Sequence, residues 1–279
     1  MKLSRIATAV FAAALAFGHG AEAKEWKKLV IATEGAFPPY NMVLPDGKLA
    51  GFEIDLAKDL CARMKVECTM IAQDWDGIIP GLNAGKFDAV IAGMSITPKR
   101  LQVIDFTIPY TASPSTFEVP KGMADLPLTG ERINFGDKDA ADAAIAKLGP
   151  ALKGKVIGAQ VSTIQADFLK ANLAAYAEIR TYPTNEEQDL DLQAGRIDMA
   201  FASSSYLVST LAKPGGDQVK MSGPMISGGM MGAGTGIGVR KTDPDLKEMF
   251  NTAIMEARKD GTISRLALQW FKLDIAVKN

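Results

Sequence analysis

Histidine is almost absent from this chain. The one histidine in 279 residues, His19, lies in an N-terminal segment that is interpreted below as an export signal. The remaining chain therefore has no imidazole for Ser-His or Cys-His nucleophilic catalysis, for histidine general bases or for histidine metal ligation. Carboxylate and lysine chemistry stay open, but we expect no enzymatic activity, no metal and no cofactor.

Neither sign of charge is in large excess. The chain carries 31 Lys and Arg residues and 32 Asp and Glu residues. Without Lys2, Arg5 and Glu22, which lie in the N-terminal segment, 29 basic and 31 acidic residues remain, a net charge of −2. This balance gives no general attraction for nucleic acid, and no basic amphipathic helix is visible. We therefore expect no nucleic-acid partner and no membrane-surface binding.

Long apolar runs are missing as well, and the one short run opens the chain. Lys2 and Arg5 precede an apolar stretch over residues 6–17, and residues 21–23 (Ala-Glu-Ala) fit a small-residue cleavage site. The stretch is too short to span a bilayer, so a signal peptide is favoured over a membrane anchor. We interpret residues 1–23 as that signal peptide and expect the mature protein to be soluble outside the cytoplasm.

Cysteine occurs only twice, at Cys61 and Cys68, with six residues between them. In an exported chain this spacing favours a local disulfide, and two buried free thiols are the alternative. Cys61 ends a helical pattern and Cys68 begins a strand pattern. A bond between them would therefore join a helix to a sheet, in a structural role.

Strand and helix patterns alternate along the chain. Buried-strand patterns at residues 29–33 and 69–73 are followed by helical patterns at residues 52–64 and 76–84. A further apolar strand is expected at residues 87–92. This order predicts a parallel sheet that is covered by helices.

One segment of the sequence occurs twice. Residues 84–95 (AGKFDAVIAGMS) resemble residues 194–205 (AGRIDMAFASSS) in having a helix end, a glycine turn, an aspartate, a buried strand and a hydroxyl turn. Residues 155–160 likewise resemble residues 28–33 as the opening strand of each half. A chance match between short α/β turns is the alternative. The repeat favours two similar α/β lobes with ligand groups at the carboxyl ends of their strands.

Two connectors separate the predicted lobes. Residues 110–120 are rich in proline and residues 221–236 in Gly and Met, so both are expected to be irregular, the second as a flexible surface connection. The predicted fold class is α/β, with two Rossmann-like lobes joined by two hinge crossings. Residues 24–112 and 233–279 are assigned to the first lobe and residues 113–232, with the hinge segments, to the second.

The turn after the strand of the first repeat has the features of an anion site. Thr97 and Pro98 are typical of the N-cap and the first residue of a short helix, which places Arg100 in its first turn. Backbone amides, the Ser95 hydroxyl and the Arg100 guanidinium therefore converge at the carboxyl end of a strand. Such groups can hold a carboxylate or another small anion.

Further polar and aromatic residues follow other strands. Glu34, with Phe37 three residues later, could receive a cationic group against a ring; a solvated Glu beside a core Phe is the alternative. Trp75 offers a second aromatic wall, or is a packing residue. In the second half, Thr163 or Ser162 is expected to cap a helix whose free amides would point at an anion.

Taken together, these residues resemble the polar amino-acid-binding proteins of bacterial ABC importers over the whole mature chain. The most specific motifs are GFEIDL at residues 51–56 and SITPKR at residues 95–100. The Cys61 and Cys68 spacing matches the disulfide of the lysine/arginine/ornithine and histidine binders, and residues 73–78 look closest to the opine (nopaline and octopine) binders. The resemblance implies a monomeric flytrap of the periplasmic-binding-protein architecture, which closes around its ligand and docks on a membrane ABC permease.

The resemblance also implies a role for each candidate. Arg100 would pair with the ligand α-carboxylate, helped by Ser95; Phe37 and Trp75 would sandwich the ligand side chain. Glu34 would receive its cationic end. The implied ligand-binding residues are Glu34, Phe37, Trp75, Ala92, Gly93, Ser95, Arg100, Gln160, Thr163, Gln165 and Ser203.

Three departures from the family pattern bear on the ligand. Phe37 stands where a Tyr is usual, and Ala92 and Gly93 stand where serines are found, which predicts a roomier and less polar pocket. Ser203 stands where an Asp grips the ligand α-ammonium, an interaction of roughly 1.5–3 kcal/mol if buried. We therefore expect a preference for an N-substituted amino acid, such as an opine, over free arginine or lysine.

Two other functions stay open at this point. A few proteins of this fold dehydrate prephenate-like acids with a carboxylate, and Glu34 could be such a proton donor. A ligand-sensing domain that docks on a membrane receptor is the second.

Overall fold

A computed structural model describes residues 25–278. The predicted signal peptide, its cleavage site and His19 lie outside the described residues. The strands are β1 (Lys28–Thr33), β2 (Ala36–Phe37), β3 (Asn41–Val43), β4 (Leu49–Ala50), β5 (Glu67–Ala72), β6 (Ala89–Val90), β7 (Asp105–Phe106), β8 (Ser115–Pro120), β9 (Arg132–Asn134), β10 (Val156–Gln160), β11 (Glu178–Tyr182), β12 (Met199–Ser203), β13 (Val219–Ser227) and β14 (Gly238–Val239). The helices are α1 (Phe52–Met64), α2 (Trp75–Asn83), α3 (Pro98–Leu101), α4 (Lys138–Ala151), α5 (Ile164–Asn172), α6 (Asn185–Gln193), α7 (Ser204–Leu211), α8 (Pro244–Lys259) and α9 (Thr262–Phe271).

The first sheet has the strand order β5-β1-β6-β14-β7. Strand β1 pairs in parallel with β5 and β6, whereas β14 pairs antiparallel with β6 and β7. The sheet is therefore mixed and not wholly parallel, because β14 enters after the chain has crossed to the other sheet and back. We call this sheet with α1, α2, α3, α8 and α9 the first lobe.

The second sheet has the order β11-β10-β12-β8-β13-β9. Strand β10 pairs in parallel with β11 and β12, while β8 pairs antiparallel with β12 and β13. With α4 to α7 it makes up the second lobe. The lobe limits at residues 112 and 232 remain predictions; strands 28–106 and 238–239 lie in one sheet and strands within 115–227 in the other.

The sequence repeat is also a repeat in space. Strands β5-β1-β6 and β11-β10-β12 have the same order and the same parallel pairing. The repeated aspartates play the same part, since the carboxylate of Asp88 accepts from the amide of Val30 and that of Asp198 from the amide of Val156. The two lobes therefore present equivalent strand ends to each other.

The α1 helix illustrates how closely the local pattern determines an element. It covers the predicted residues 52–64, and its apolar spacing buries Ala57 and Leu60 in the core of the first lobe. It starts after Gly51, where a Cβ would lie 2.4 Å from the carbonyl oxygen of Tyr40, so only glycine fits. Elsewhere the boundaries shift by a few residues, and regular pairing in the strand expected at 87–92 is confined to β6.

Both predicted irregular connectors contain a strand, so that part of the prediction is wrong. Strand β8 lies within the connector at residues 110–120 and is hydrogen-bonded on both sides; β13 overlaps the connector at 221–236. Pro114 precedes β8 and Pro120 is its last residue. The prolines mark the limits of this strand because they cannot donate to the ladder within it.

The glycine-rich residues 228–236 are packed, not a flexible surface connection. Thr235 forms a β-bridge with Ser95, and a Cβ on Gly232 would lie 2.5 Å from the carbonyl oxygen of Ile96. Glycine here permits close approach of two backbones. The returning chain is therefore held against the predicted anion-binding turn.

The predicted disulfide is present. Cys61 and Cys68 are bonded and join α1 to β5, at the end of β5 that lies away from Trp75. Within residues 25–278 no helix is both long enough and apolar enough to cross a membrane.

Candidate ligand-binding site

A small cavity lies between the two lobes, at the carboxyl ends of β1, β6, β10 and β12, with a volume of about 40 Å³ open to the centre of a water molecule. All of the ligand-binding residues predicted from the sequence line it, and they come from both lobes. The lining residues are Glu34, Phe37, Trp75, Ala92, Gly93, Ser95, Arg100, Gln160, Thr163, Ile164, Gln165, Asn185, Ala202 and Ser203.

Three lining residues, Ile164, Asn185 and Ala202, were not predicted. The sequence repeat carries a signal for two of them. Asn185 begins α6 as Trp75 begins α2, at the same distance before the repeated Ala-Gly pair, and Ala202 is the counterpart of Ala92. Extending the repeat over these residues would have identified both.

Arg100 is held by the short helix that the sequence predicted. Thr97 is the N-cap of α3, and its hydroxyl accepts a hydrogen bond from the backbone amide of Arg100 at 3.2 Å. The guanidinium donates to the carbonyl oxygens of Ser95 at 2.9 Å and Ser162 at 3.3 Å. It also lies over the Trp75 ring, with Cζ 5.2 Å from the ring centroid.

The positive charge of Arg100 is buried without a counter-charge in hydrogen-bond contact. Its side chain is 9% exposed, and in the described part of the chain it forms no ion pair. Burial lowers the pKa of Arg100 to about 10, while the charge of Asp167 opposes that shift. The group stays charged at neutral pH, and an anion in the cavity would supply the missing partner.

Glu34 is the negative counterpart on the same lobe. Burial, more than any other cause, raises the pKa of its carboxyl to about 7; a hydrogen bond from Gln160 opposes the rise, and the charges of Glu53 and Asp74 add to it. The carboxyl is 9% exposed. A cationic ligand group would favour the ionised form of this carboxyl.

Glu34 receives its hydrogen bond from the second lobe. The side-chain amide of Gln160 donates to the Glu34 carboxylate and to the carbonyl oxygen of Pro183 at 3.0 Å. The oxygen of the same amide accepts from Asn185 at 2.8 Å. This chain of amides fixes the orientation of Gln160 and connects the lobes across the cavity.

Glu53, from the GFEIDL motif, lies behind the cavity wall and not on it. Its carboxylate accepts from the amide of Gly93 at 2.7 Å, from the side chain of Asn41 at 2.7 Å and from the hydroxyl of Tyr110. Asn41 in turn accepts from the amide of Gly35 at 2.7 Å. The motif thereby anchors two of the first-lobe loops that line the cavity, those after β1 and after β6.

The position of Ser203 is occupied by a cluster of hydroxyls. Ser203 ends β12, and its Oγ lies 3.2 Å from Ser113 Oγ and 2.7 Å from Ser205 Oγ. Ser205 donates to the Tyr40 hydroxyl at 3.2 Å. This corner of the cavity is polar and uncharged.

The aromatic wall differs from the expectation at one point. The Phe37 ring stacks on Tyr40 at 5.0 Å and, across the lobes, on Tyr206 at 5.5 Å. A Cβ on Gly93 would meet the Phe37 ring at 2.8 Å. The expected extra room at Gly93 is therefore wrong, because the phenyl ring fills that space.

On the second lobe, Thr163 and not Ser162 caps α5. The Thr163 hydroxyl accepts from the amide of Ala166 at 3.2 Å. Ser162 has a φ of 59°, in the left-handed region, and is exposed beside the cavity. No group of three His, Cys, Asp or Glu residues in the described ranges could hold a metal ion.

Comparison with known proteins agrees with this geometry. The chain is 40% identical to an octopine-binding periplasmic protein of Rhizobium meliloti, over 95% of this chain and 97% of that protein. It is 33% identical to an L-arginine-binding protein of Pseudomonas aeruginosa, over 91% of each. A crystal structure of a periplasmic His/Glu/Gln/Arg/opine family-binding protein from Silicibacter pomeroyi, in complex with lysine, superposes with a TM-score of 0.72. That protein is 32% identical and is matched over 90% of this chain and 100% of its own.

The fold is therefore that of the periplasmic amino-acid-binding proteins, with the cavity between its lobes. Residues 29–273 match a single family over nearly all of the described chain. The chain belongs to the bacterial extracellular solute-binding proteins, family 3.

Proposed function

We propose that this protein captures an amino acid with a cationic side chain, or an N-substituted derivative of one, and delivers it to an ABC permease. The observation that carries the proposal is the pair of buried, opposite charges in one cavity. Arg100 has no counter-ion in the described chain, and Glu34 is a carboxyl whose pKa burial raises to about 7. A zwitterionic ligand with a cationic tail would satisfy both.

The proposed roles follow from these contacts. Arg100 binds the α-carboxylate, assisted by Ser95 and by the free amides at the start of α5. Glu34 binds the cationic end of the ligand side chain. Phe37 and Trp75 provide the apolar walls, and the other predicted lining residues complete the pocket.

The hydroxyl cluster at Ser203 supports an N-substituted ligand. A primary ammonium group would find only neutral acceptors there, whereas a charged acceptor strengthens such a bond about twofold. A secondary amine has fewer hydrogen-bond donors to satisfy and carries a substituent. It therefore loses less binding free energy than a primary ammonium group when no charged acceptor is present. We propose an opine as the preferred ligand; the R. meliloti relative, which is named as octopine-binding, supports this choice.

Isothermal titration calorimetry with arginine, lysine, octopine, nopaline and glutamine tests the proposal. Octopine or nopaline is expected to bind more tightly than free arginine or lysine, and glutamine is expected to bind weakly because it lacks the cationic end. Ser203→Asp should raise the affinity for free arginine, and Ser203→Ala serves as the matched control without a charge. Tight binding of arginine or lysine with no binding of either opine would refute the opine assignment.

The proposal also covers where the protein works and what it docks on. Residues 1–23 are proposed to direct the chain to the periplasm and to be removed there, and the mature protein is proposed to work as a monomer that docks on a membrane permease. The relatives named above as periplasmic support the location. Cell fractionation with N-terminal sequencing of the recovered protein tests both export and cleavage.

A dehydratase is the second candidate, because a carboxyl with a pKa of about 7 could also donate a proton. In the present geometry Glu34 already accepts from Gln160, and the relatives cited above carry the names of binding proteins. We therefore propose binding without turnover. Incubation with prephenate or arogenate should give no new ultraviolet absorbance, and product formation that is lost in Glu34→Gln would contradict this.

A further inference from the structure

Three first-lobe side chains meet the second lobe at one residue, Ser162. Its carbonyl oxygen accepts from Nε1 of Trp75 at 3.3 Å and from Nη2 of Arg100 at 3.3 Å. Its hydroxyl donates to the carboxylate of Asp76. Neither Ser162 nor Asp76 lines the ligand cavity; both lie on its outer rim.

The backbone of Ser162 is unusual for its residue type. Its φ of 59° lies in the left-handed region, which non-glycine residues seldom adopt and which is retained where surrounding contacts enforce it. The residue does not serve as the cap of α5, since Thr163 fills that position. The described side-chain hydrogen bonds that involve Ser162 all connect it to the first lobe.

Two of these contacts act on residues proposed to hold the ligand. Trp75 and Arg100 both line the cavity, and the same carbonyl oxygen holds the indole and the guanidinium. The oxygen reaches them only when the lobes are closed, because Ser162 belongs to the second lobe. The Asp76 bond adds to the closed form and involves no cavity-lining group.

A second pair across the rim, Lys99 and Asp167, is less suited to this task. Their side chains are 79% and 42% exposed, and exposed ion pairs contribute little and are screened by salt. The contacts of Ser162 differ because two of them are made to residues that line the cavity, Trp75 and Arg100.

We infer that Ser162 is a positioning residue that links ligand capture to closure. In the closed form its carbonyl oxygen holds Trp75 and Arg100, and the bond from its hydroxyl to Asp76 keeps the residue in that position and delays reopening. The inference rests on the proposed ligand-binding function. Ser162 thereby sets how slowly a bound ligand dissociates, and does not select between ligands.

Stopped-flow tryptophan fluorescence on Ser162→Ala and Asp76→Ala measures this role. Both variants should release the bound ligand, arginine or octopine, roughly fivefold faster, the effect of losing one hydrogen bond of ordinary strength. Association should change less than twofold, and the ratio of the two affinities should stay as in the wild type. The double variant should release no faster than the more affected single variant, because the two changes remove one shared contact.

Matched controls separate positioning from a general loss of structure. Ser264→Ala and Asp142→Ala each remove a surface group that bonds a lysine elsewhere, and both should release ligand at the wild-type rate. The melting temperature of the ligand-free protein should not change in any of these variants. Ser162→Asn, which tolerates the left-handed backbone and keeps a donor, should restore slow release.

Different results would overturn different claims. Wild-type release rates in both Ser162→Ala and Asp76→Ala, with binding intact, would refute the role of Ser162 and leave the proposed function standing. A change in the ratio of ligand affinities would also refute it, since it would make Ser162 a selectivity residue. No saturable binding of any ligand by the wild type would refute the proposed function, and this inference with it.

Discussion

At the scale of single residues, the main feature of the cavity is that its two ionisable lining residues, Arg100 and Glu34, do not form an ion pair with each other. Arg100 is a buried cation whose guanidinium, within residues 25–278, donates hydrogen bonds only to carbonyl oxygens. Glu34 is a carboxyl whose pKa is raised by burial. Burying a charge without a partner is unfavourable. Arg100 therefore favours an anionic ligand group, and Glu34 favours a cationic one.

Removal of the cation tests that preference directly. Arg100→Ala should weaken ligand binding by roughly 10²- to 10³-fold, the usual effect of deleting one side of a buried charged pair. The ligand affinity of Arg100→Lys should lie between those of the wild type and Arg100→Ala, because an ammonium group keeps the charge but cannot form the two parallel hydrogen bonds of a guanidinium. The ligand-free variants should melt at or above the wild-type temperature, since an uncompensated buried charge has gone. Near-normal affinity by calorimetry in Arg100→Ala would contradict the carboxylate role.

The pH dependence of binding tests the carboxyl. A cationic side chain binds the ionised form of Glu34, so affinity for arginine or octopine should rise with pH, by up to tenfold per unit below about 7, and level off above about 8. The direction follows because the raised pKa keeps the free carboxyl protonated in acid. Calorimetry from pH 5.5 to 8.5 should give a flat profile for Glu34→Gln. Affinity that falls as pH rises would exclude this role of Glu34.

At the scale of elements, short helices and their caps bring the functional groups to the strand ends. Thr97→Ala removes the acceptor for the Arg100 amide and should cost about 1 kcal/mol of stability. Because α3 also positions the guanidinium, ligand affinity should fall roughly fivefold. Urea unfolding and calorimetry on the same sample measure the two effects.

The matched control for that prediction is another N-cap. The Asp137 side chain caps α4, far from the cavity, by accepting from the amides of Asp139 and Ala140. Asp137→Ala should lose similar stability with no change in affinity, and Thr97→Ser should retain both. Equal affinity in Thr97→Ala and Asp137→Ala would mean that the cap does not position Arg100.

Local chemistry explains which elements could be predicted from the sequence. Helix α1 and the cap of α3 depend on neighbouring residues, so spacing and capping were sufficient. The position of β8 was not predictable in this way, because it is set by partners in β12 and β13, which lie far along the chain. A proline-rich sequence read locally predicts a loop, whereas the prolines delimit a strand that distant partners complete.

The site shows the same division. One local turn predicts Arg100 and Ser95 as site residues, and the sequence repeat predicts Ser203 in the corresponding turn of the second lobe. Gly93 was misjudged because the ring that fills its space, Phe37, comes from another loop. Convergence of separate loops is a tertiary property, and a motif gives the residue type without its neighbours.

At the scale of the whole molecule, the proposed function predicts that ligand binding and lobe closure are linked. The lobes touch through Gln160 and Glu34, through Phe37 and Tyr206, and through the rim. A ligand that completes these contacts shifts the population towards the closed form. Occupancy should therefore be visible in global measurements as well as at the site.

A thermal-shift screen across basic amino acids and opines measures that link. At a concentration one hundred times its dissociation constant, a ligand should add about 2.7 kcal/mol. In a protein of this size that raises the melting temperature by roughly 5–10 °C. The same ligands should reduce the radius of gyration in small-angle scattering, and Arg100→Ala should show neither response. Stabilisation without compaction would contradict closure around the ligand.

The uneven placement of charge also sets the order in which a ligand could leave. Both charged lining groups belong to the first lobe, and the second-lobe wall offers amides, hydroxyls and apolar groups alone among the described lining residues. Under the proposed function, separation of the lobes would break the neutral contacts first and leave the ligand on its ionic contacts. Release would then take two stages, because a permease that had opened the protein would still compete electrostatically for a ligand bound to the first lobe alone.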